Sequence, residues 1–209
     1  MIDFSLIETL RWQPGEGFIR LRLHFARLSR SARRLGFPKP IEAAAKLDEA
    51  VAGAAGPLRV RLTFDAQGHI EVTSAAFVPL APDTVWTVRL AETRLNSADR
   101  LLRVKTTRRA VYETARAEYT PAEADEVILL NERGEVCDGT ITSIFLDDGT
   151  GVLRTPPISC GLLAGVLRTE LICNRKARVG RITPADLNAG TLYIGNSLRG
   201  LIRANLIRS

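Results

Sequence analysis

Apolar and polar residues alternate through the first part of the chain, FSLIETLRWQPGEGFIRLRLHFARL, and this predicts two strands around the turn at residues 13–17. The spacing then changes to that of a helix. Leu23, Phe25, Leu28, Ala32 and Leu35 fall near one face and arginines near the other, with Gly36 and then Pro38 as the stop. A second helix is expected over Ile41–Ala54, closed by Gly56 and Pro57. PLRVRLTF, the turn DAQG and HIEVTSAAFV form a hairpin pattern. Pro79 and Pro82 mark a boundary, giving an N-terminal α+β domain over residues 1–80, a linker at 81–84 and a C-terminal domain over 85–209.

Beyond the boundary, VWTVRLAE resumes as a strand. A helix is expected from Lys105 or Thr106 to Ala117. DEVILLNERGEVCDGTITSIFL and GVLRTP have sheet character, AGVLRTELICNRKA is a helix opening at Gly165, and GTLYIGNSLRG is a last strand and loop. The sum is an α+β chain in two halves.

Composition adds little to this: 45% hydrophobic and 25% charged residues are those of an ordinary soluble globular protein. No repeat and no low-complexity segment is present. A net charge of +6 raises nucleic acid as a partner. However, the arginines alternate with acids inside amphipathic runs, which fits a solvated surface; the expectation is no nucleic-acid partner. Cys137, Cys160 and Cys173 are odd in number and widely spaced, as free thiols in a reducing cytoplasm would be. The start MIDFSLIETLRW lacks the basic, then apolar, form of a signal peptide, and no apolar run reaches the roughly 18 residues of a membrane span.

Candidate chemistry narrows by elimination. Only His24 and His69 could serve a histidine-based mechanism, and each is expected to be structural or solvated. Neither GxGxxG nor GxxxxGK[ST] occurs. An amine remains. Lysine is scarce here, with only Lys39, Lys46, Lys105 and Lys176, so 25 of 29 basic residues are arginine. A lysine forms a Schiff base with an aldehyde and a guanidinium does not. Arg103, Arg108 and Arg109 surround Lys105 and would lower its pKa if they pointed inward. On this chemistry alone, Lys105 stays open between a nucleophile and a solvated surface lysine.

Taken together, HFARL, VKTTRRAVYE and DGTITSIFLDDGTGVLRTPPISCGLLAGVLR resemble the class IV, or fold-type IV, pyridoxal-phosphate enzymes. That family holds branched-chain and D-amino-acid aminotransferases and 4-amino-4-deoxychorismate lyase. The resemblance implies a two-domain fold like that of D-amino-acid aminotransferase, here shortened at the N-terminus, and a homodimer. It implies Lys105 as the Schiff-base lysine and Arg27 as a phosphate ligand, although outside this context Arg27 reads as a solvated helix residue. Asp138 would face the pyridine nitrogen. Val166 and Leu167 would offer backbone N–H groups to the phosphate at a helix start, or else only pack in the core. Ser197 would add a hydroxyl. Arg61 matches a strand position used near the substrate carboxylate, with a solvent-facing arginine as the alternative.

Two positions depart from the family pattern: Asp138 stands where Glu is usual, and Ser143 where Asn is usual. GTITSIF and NSLRGLI resemble the lyase branch, which releases pyruvate and 4-aminobenzoate. The alternatives are an aminotransferase acting on branched-chain or D-amino acids, and a catalytically inactive relic of the fold.

Overall fold

The computed structural model describes residues 3–207. The chain divides into two units: residues up to Pro79 with Val104–Arg108, and Leu80–Arg103 with Arg109 onward. Residues 104–108, which a single cut at 81–84 assigns to the C-terminal domain, thus belong to the first unit.

In the first unit, β1 (Leu6–Gln13), β2 (Gly17–Phe18), β3 (Leu58–Phe64) and β4 (Ile70–Ala76) form an antiparallel sheet in the order β2-β1-β3-β4. Alternation sends Leu6, Leu10, Val60, Leu62 and Phe64 to one face. There they are buried with Leu28 and Ala32 of α1 (Leu21–Leu35) and Leu47 of α2 (Ala43–Ala50). Burial of each large side chain contributes about 1.5–3 kcal/mol. Gly36 closes α1 in the left-handed region at φ 73°, and the next amide, Phe37 N–H, donates to Ala32 O at 2.9 Å. This turn seats Phe37 edge-on to Phe64, 6.1 Å between centroids.

In the second unit, β5 (Val85–Leu95), β6 (Glu126–Asn131), β7 (Val136–Gly139), β8 (Ser143–Asp147), β9 (Leu153–Thr155), β10 (Ala177–Val179), β11 (Thr191–Asn196) and β12 (Gly200–Leu206) make a mixed sheet. Its order is β10-β9-β8-β11-β12-β5-β6-β7, and a β7–β8 pairing closes part of it into a ring. Every residue of β6 is buried, as expected of a strand covered on both faces. α3 (Ala110–Ala117) and α4 (Val166–Cys173) belong to this unit.

Three elements differ from the sequence expectation. The helix expected from Lys105 or Thr106 begins only at Ala110. Before it, Thr106 bridges to Leu6, while Ile7 N–H donates to Lys105 O and Thr107 N–H to Ser5 O, both at 2.9 Å. Two β-branched threonines suit an extended backbone. The second helix is shorter than Ile41–Ala54, because Gly53 turns left-handed at φ 73° and Ile41 lies exposed. GLIRANL, beyond the expected last loop, is a strand: Ile202 and Ala204 point inward, and β12 runs parallel to β5.

Candidate cofactor site

Within the first unit, the functional candidates gather around a buried acid. Glu8 lies on the core face of β1, only 2% exposed. Arg27 reaches it from α1 as a fork, Nε to Oε1 at 2.8 Å and Nη2 to Oε2 at 2.6 Å. His24, one helical turn earlier, places Nδ1 2.6 Å from Glu8 Oε2. Burial would raise the Glu8 pKa, but the charge and hydrogen bonds of Arg27, with those of His24, outweigh it and hold Glu8 at about 2. His24 is pushed below its usual value, first by burial; Glu8 opposes this, while Arg27 and Lys105 add to it. The Lys105 amine is therefore close to this cluster.

In the second unit, Asp138 lies on β7 directly opposite Ser143 of β8. It is 6% exposed, and among the described residues its Oδ1 has no hydrogen-bond partner. Burial pushes its pKa up to about 8. The Leu163 amide, Arg168 and Ser143 pull the other way without overcoming burial, and Glu126 reinforces it.

The loop joining β7 to β8 is tied on several sides. Glu126, fully buried at the start of β6, accepts from Thr140 N–H and Oγ1 at 3.0 and 2.5 Å, Ile141 N–H at 3.0 Å and Thr142 Oγ1 at 2.9 Å. Arg109 Nη2 donates to Thr140 O at 2.5 Å, its guanidinium lying 4.9 Å from the Tyr112 ring centroid. Asn196 Nδ2 donates to Ile141 O at 3.1 Å, and Asn196 Oδ1 accepts from Leu198 and Arg199 N–H at 3.1 and 3.0 Å. One amide thus joins this loop to the turn that carries Ser197. Gly165, ahead of α4, packs so tightly that an added Cβ would sit 2.6 Å from Ser143 Oγ.

The structure therefore brings the expected residues together in two groups. Arg27 and Lys105 share the Glu8–His24 cluster. Asp138, the start of α4 with Val166 and Leu167, and Ser197 gather around Ser143 and the 139–142 loop. The Val166 and Leu167 side chains are buried, while their amides head the helix where intrahelical acceptors are lacking. Ser197 is buried and engaged in an interaction of its own. Arg61 stands apart: it pairs with Thr9 and Thr73, on the sheet face opposite Glu8. His24, expected to be structural or solvated, is buried and bonded, and His69 is exposed beside Asp65.

Glu8, Glu126 and Arg168 are functional candidates that the sequence pattern did not single out. For the two acids a signal existed, since each stands in line with apolar residues on the inward face of its strand, Leu6 and Leu10 for Glu8 and Ile128 and Leu130 for Glu126. Arg168, on α4, is 4% exposed and donates to Pro156 O at 2.8 Å. Nothing in the local pattern set it apart from the other arginines.

Known proteins share this architecture and sequence. The "Putative amino-acid aminotransferase" of Mesorhizobium loti superposes with a TM-score of 0.96 at 50% identity, covering 98% of this chain and 100% of that one. A "Putative 4-amino-4-deoxychorismate lyase" superposes at 0.82 with 29% identity, over 96% and 84% of the two chains. The "Putative branched-chain-amino-acid aminotransferase" of Methanocaldococcus jannaschii is 32% identical over 84 residues, 40% of this chain and 29% of that relative's length. Among the described residues no helix is long and apolar enough to cross a membrane. A family model described as "Amino-transferase class IV" matches residues 5–207, so the chain belongs to that family of pyridoxal-phosphate enzymes.

Proposed function

We propose that the protein acts on a small amino-carboxylate substrate, and that its reaction is that of 4-amino-4-deoxychorismate lyase, releasing pyruvate and 4-aminobenzoate. The observation that carries the cofactor assignment is the Asp138 carboxyl: buried, with one oxygen lacking a donor among the described residues, it fits the N–H of a pyridinium ring. Bound pyridoxal phosphate supplies an aldehyde and an electron-withdrawing ring. Lys105 would provide the amine that holds that aldehyde, and its Nζ would take the proton from the amine-bearing carbon of the substrate and pass it to the departing enolpyruvyl group. Asp138 Oδ1 would accept from the ring nitrogen, and a cationic N–H there would favour the ionised form that burial alone disfavours. By the family pattern, Arg27, steered by Glu8, would be a phosphate ligand of the first unit, and the first-turn amides of Val166 and Leu167 and the Ser197 hydroxyl would be those of the second. Arg61 takes a substrate carboxylate. Asp is one methylene shorter than the usual Glu; the tie of Glu126 to the 139–142 loop fixes where that shorter side chain starts.

The lyase reading is supported by the GTITSIF and NSLRGLI stretches and by likeness to a chain bearing that name. The Mesorhizobium loti match favours amino transfer as the second reading. A homodimer in the cytoplasm belongs to the same proposal and rests on the family resemblance.

The test is the purified protein with added pyridoxal phosphate. A yellow chromophore that borohydride fixes to Lys105, and that Lys105→Ala abolishes, is expected. Incubation with aminodeoxychorismate should release 4-aminobenzoate, measured beside a keto-acid panel. Amino transfer without 4-aminobenzoate would sink the lyase assignment. Colourless protein that takes up no cofactor would leave only an inactive relic of the fold.

A further inference from the structure

The β8–β11 ladder ends at the Ser143–Gly195 pair, and Ser143 is itself paired with Asp138, so β7, β8 and β11 meet in one row. Beyond that row the side chain of Asn196 takes over from the backbone. Its Nδ2 donates to Ile141 O at 3.1 Å, while Oδ1 accepts from Leu198 and Arg199 N–H at 3.1 and 3.0 Å. Two N–H donors converge on one end of the amide, so that end is the oxygen and the nitrogen faces the Ile141 carbonyl. The two ends do different things. The oxygen folds the turn over residues 197–199, between the paired Asn196 and Gly200, and Gly200 resumes the strand at φ 82°. The nitrogen fixes where that turn stands relative to the 139–142 loop.

The loop is a firm reference, because Glu126 holds its amides and hydroxyls and Arg109 holds its Thr140 carbonyl. The start of α4 is seated just as directly. An added Cβ at Gly195 would stand 2.8 Å from Leu167 Cδ2, as one at Gly165 would stand 2.6 Å from Ser143 Oγ. The Ser197 turn lies past the last β8–β11 pair and is placed differently. Leu198 is buried there, and the Arg199 guanidinium lies 5.5 Å from the Trp86 ring centroid. Apolar and cation–π contacts tolerate small shifts, whereas a hydrogen bond sets direction as well as distance. The Asn196–Ile141 bond is therefore the contact that gives the turn its register.

We infer that Asn196 is a positioning residue: by binding the loop that follows Asp138, its side-chain nitrogen sets where the Ser197 hydroxyl stands. The hydroxyl that would meet the cofactor phosphate and the acid that would meet the ring nitrogen are thereby held at a fixed separation. The inference rests on the proposed function and adds to it a residue that acts through Ser197.

The test is the apparent affinity of the full chain for pyridoxal phosphate and for pyridoxal, which lacks the phosphate, with hydrogen exchange of the cofactor-free protein measured alongside. Asn196→Ser keeps a side-chain oxygen for the turn amides but ends one bond short of the Nδ2 position. It should weaken pyridoxal phosphate about tenfold, the loss of one hydrogen bond, and pyridoxal less than about twofold. Exchange at Leu198 and Arg199 should quicken about tenfold without cofactor, because the turn has lost its tether. In a Ser197→Ala background the same substitution should cost less than about twofold further, since the hydroxyl it places is gone. Asn205→Ser, at an exposed asparagine of β12, should change none of these. Equal weakening of pyridoxal phosphate and pyridoxal overturns the inference. So does the full cost retained in Ser197→Ala, unchanged exchange at Leu198 and Arg199, or an equal effect of Asn205→Ser. A parent that takes up neither compound, while Asn196→Ser still quickens that exchange, would instead refute the cofactor reading and leave the tie between loop and turn standing.

Discussion

Replacing Glu8 by glutamine removes the negative centre on which His24 and Arg27 converge. The carboxyl is 2% exposed and receives three contacts of 2.6–2.8 Å, so solvent offers little compensation. Its pKa falls from 4.5 to about 2 on folding, which corresponds to about 3 kcal/mol at 1.36 kcal/mol per unit. Truncating one member of a buried pair costs about 3–5 kcal/mol, because the other charge is left enclosed. The two figures agree. At roughly 2–4 °C per kcal/mol for a chain of this size, Glu8→Gln should lower the neutral-pH melting temperature by about 6–12 °C. The sign with pH follows from the depressed pKa. The Glu8 contribution is complete above 4.5 and is lost as pH falls towards 2. His24, also depressed, gives stability that is full above 6.5 and declines as pH falls below it. Calorimetric melts of parent and Glu8→Gln across that range measure both. A variant melting within about 2 °C of the parent, with an unchanged acid limb, would refute the assignment of Glu8 as the anchor of Arg27.

Other expectations follow from the second unit. Gly139→Ala drives a Cβ onto the Thr142 hydroxyl and within 2.9 Å of Glu126 Oε2, so it should destabilise by about 1–3 kcal/mol in denaturant titration; an unchanged midpoint would mean the 139–142 loop is not held as described. Asp138 has its pKa raised from 3.8 to about 8, so without cofactor the folded state keeps a proton that the unfolded chain releases. Stability should therefore fall with rising pH between those values, at up to about 1.4 kcal/mol per pH unit, and Asp138→Asn should flatten the slope. Cys137 and Cys160 are buried, and burial pushes both thiols up, Cys160 to about 11, whereas Cys173 is exposed. Maleimide labelling of native protein followed by peptide mapping should find rapid modification at Cys173 alone.

The strands of the first hairpins, the first helix with its Gly36 stop and the helix opening at Gly165 were legible in the sequence, because each is set by local periodicity and by residues with special backbone freedom. So was the candidacy of Lys105, once HFARL and DGTITSIF stood in order around it. Local pattern misplaced Lys105 itself. TTRRAVYE has helical spacing, yet residues 105–107 are extended because they pair with Ser5–Ile7, about a hundred positions away in sequence. No window of neighbouring residues contains that partner. For the same reason the sequence determined which acids and arginines exist, whereas tertiary structure decided what they are. Glu8 becomes an anchor and Glu126 a loop clamp only when strands bury them beside specific donors. The Asp138 carboxyl is pushed up to about 8 only because folding removes it from water. Asn196 reaches Ile141, 55 positions away, only because β8 and β11 pair. Charge and periodicity are properties of the chain; desolvation and non-local pairing, which give these residues their chemistry, arise only in the fold.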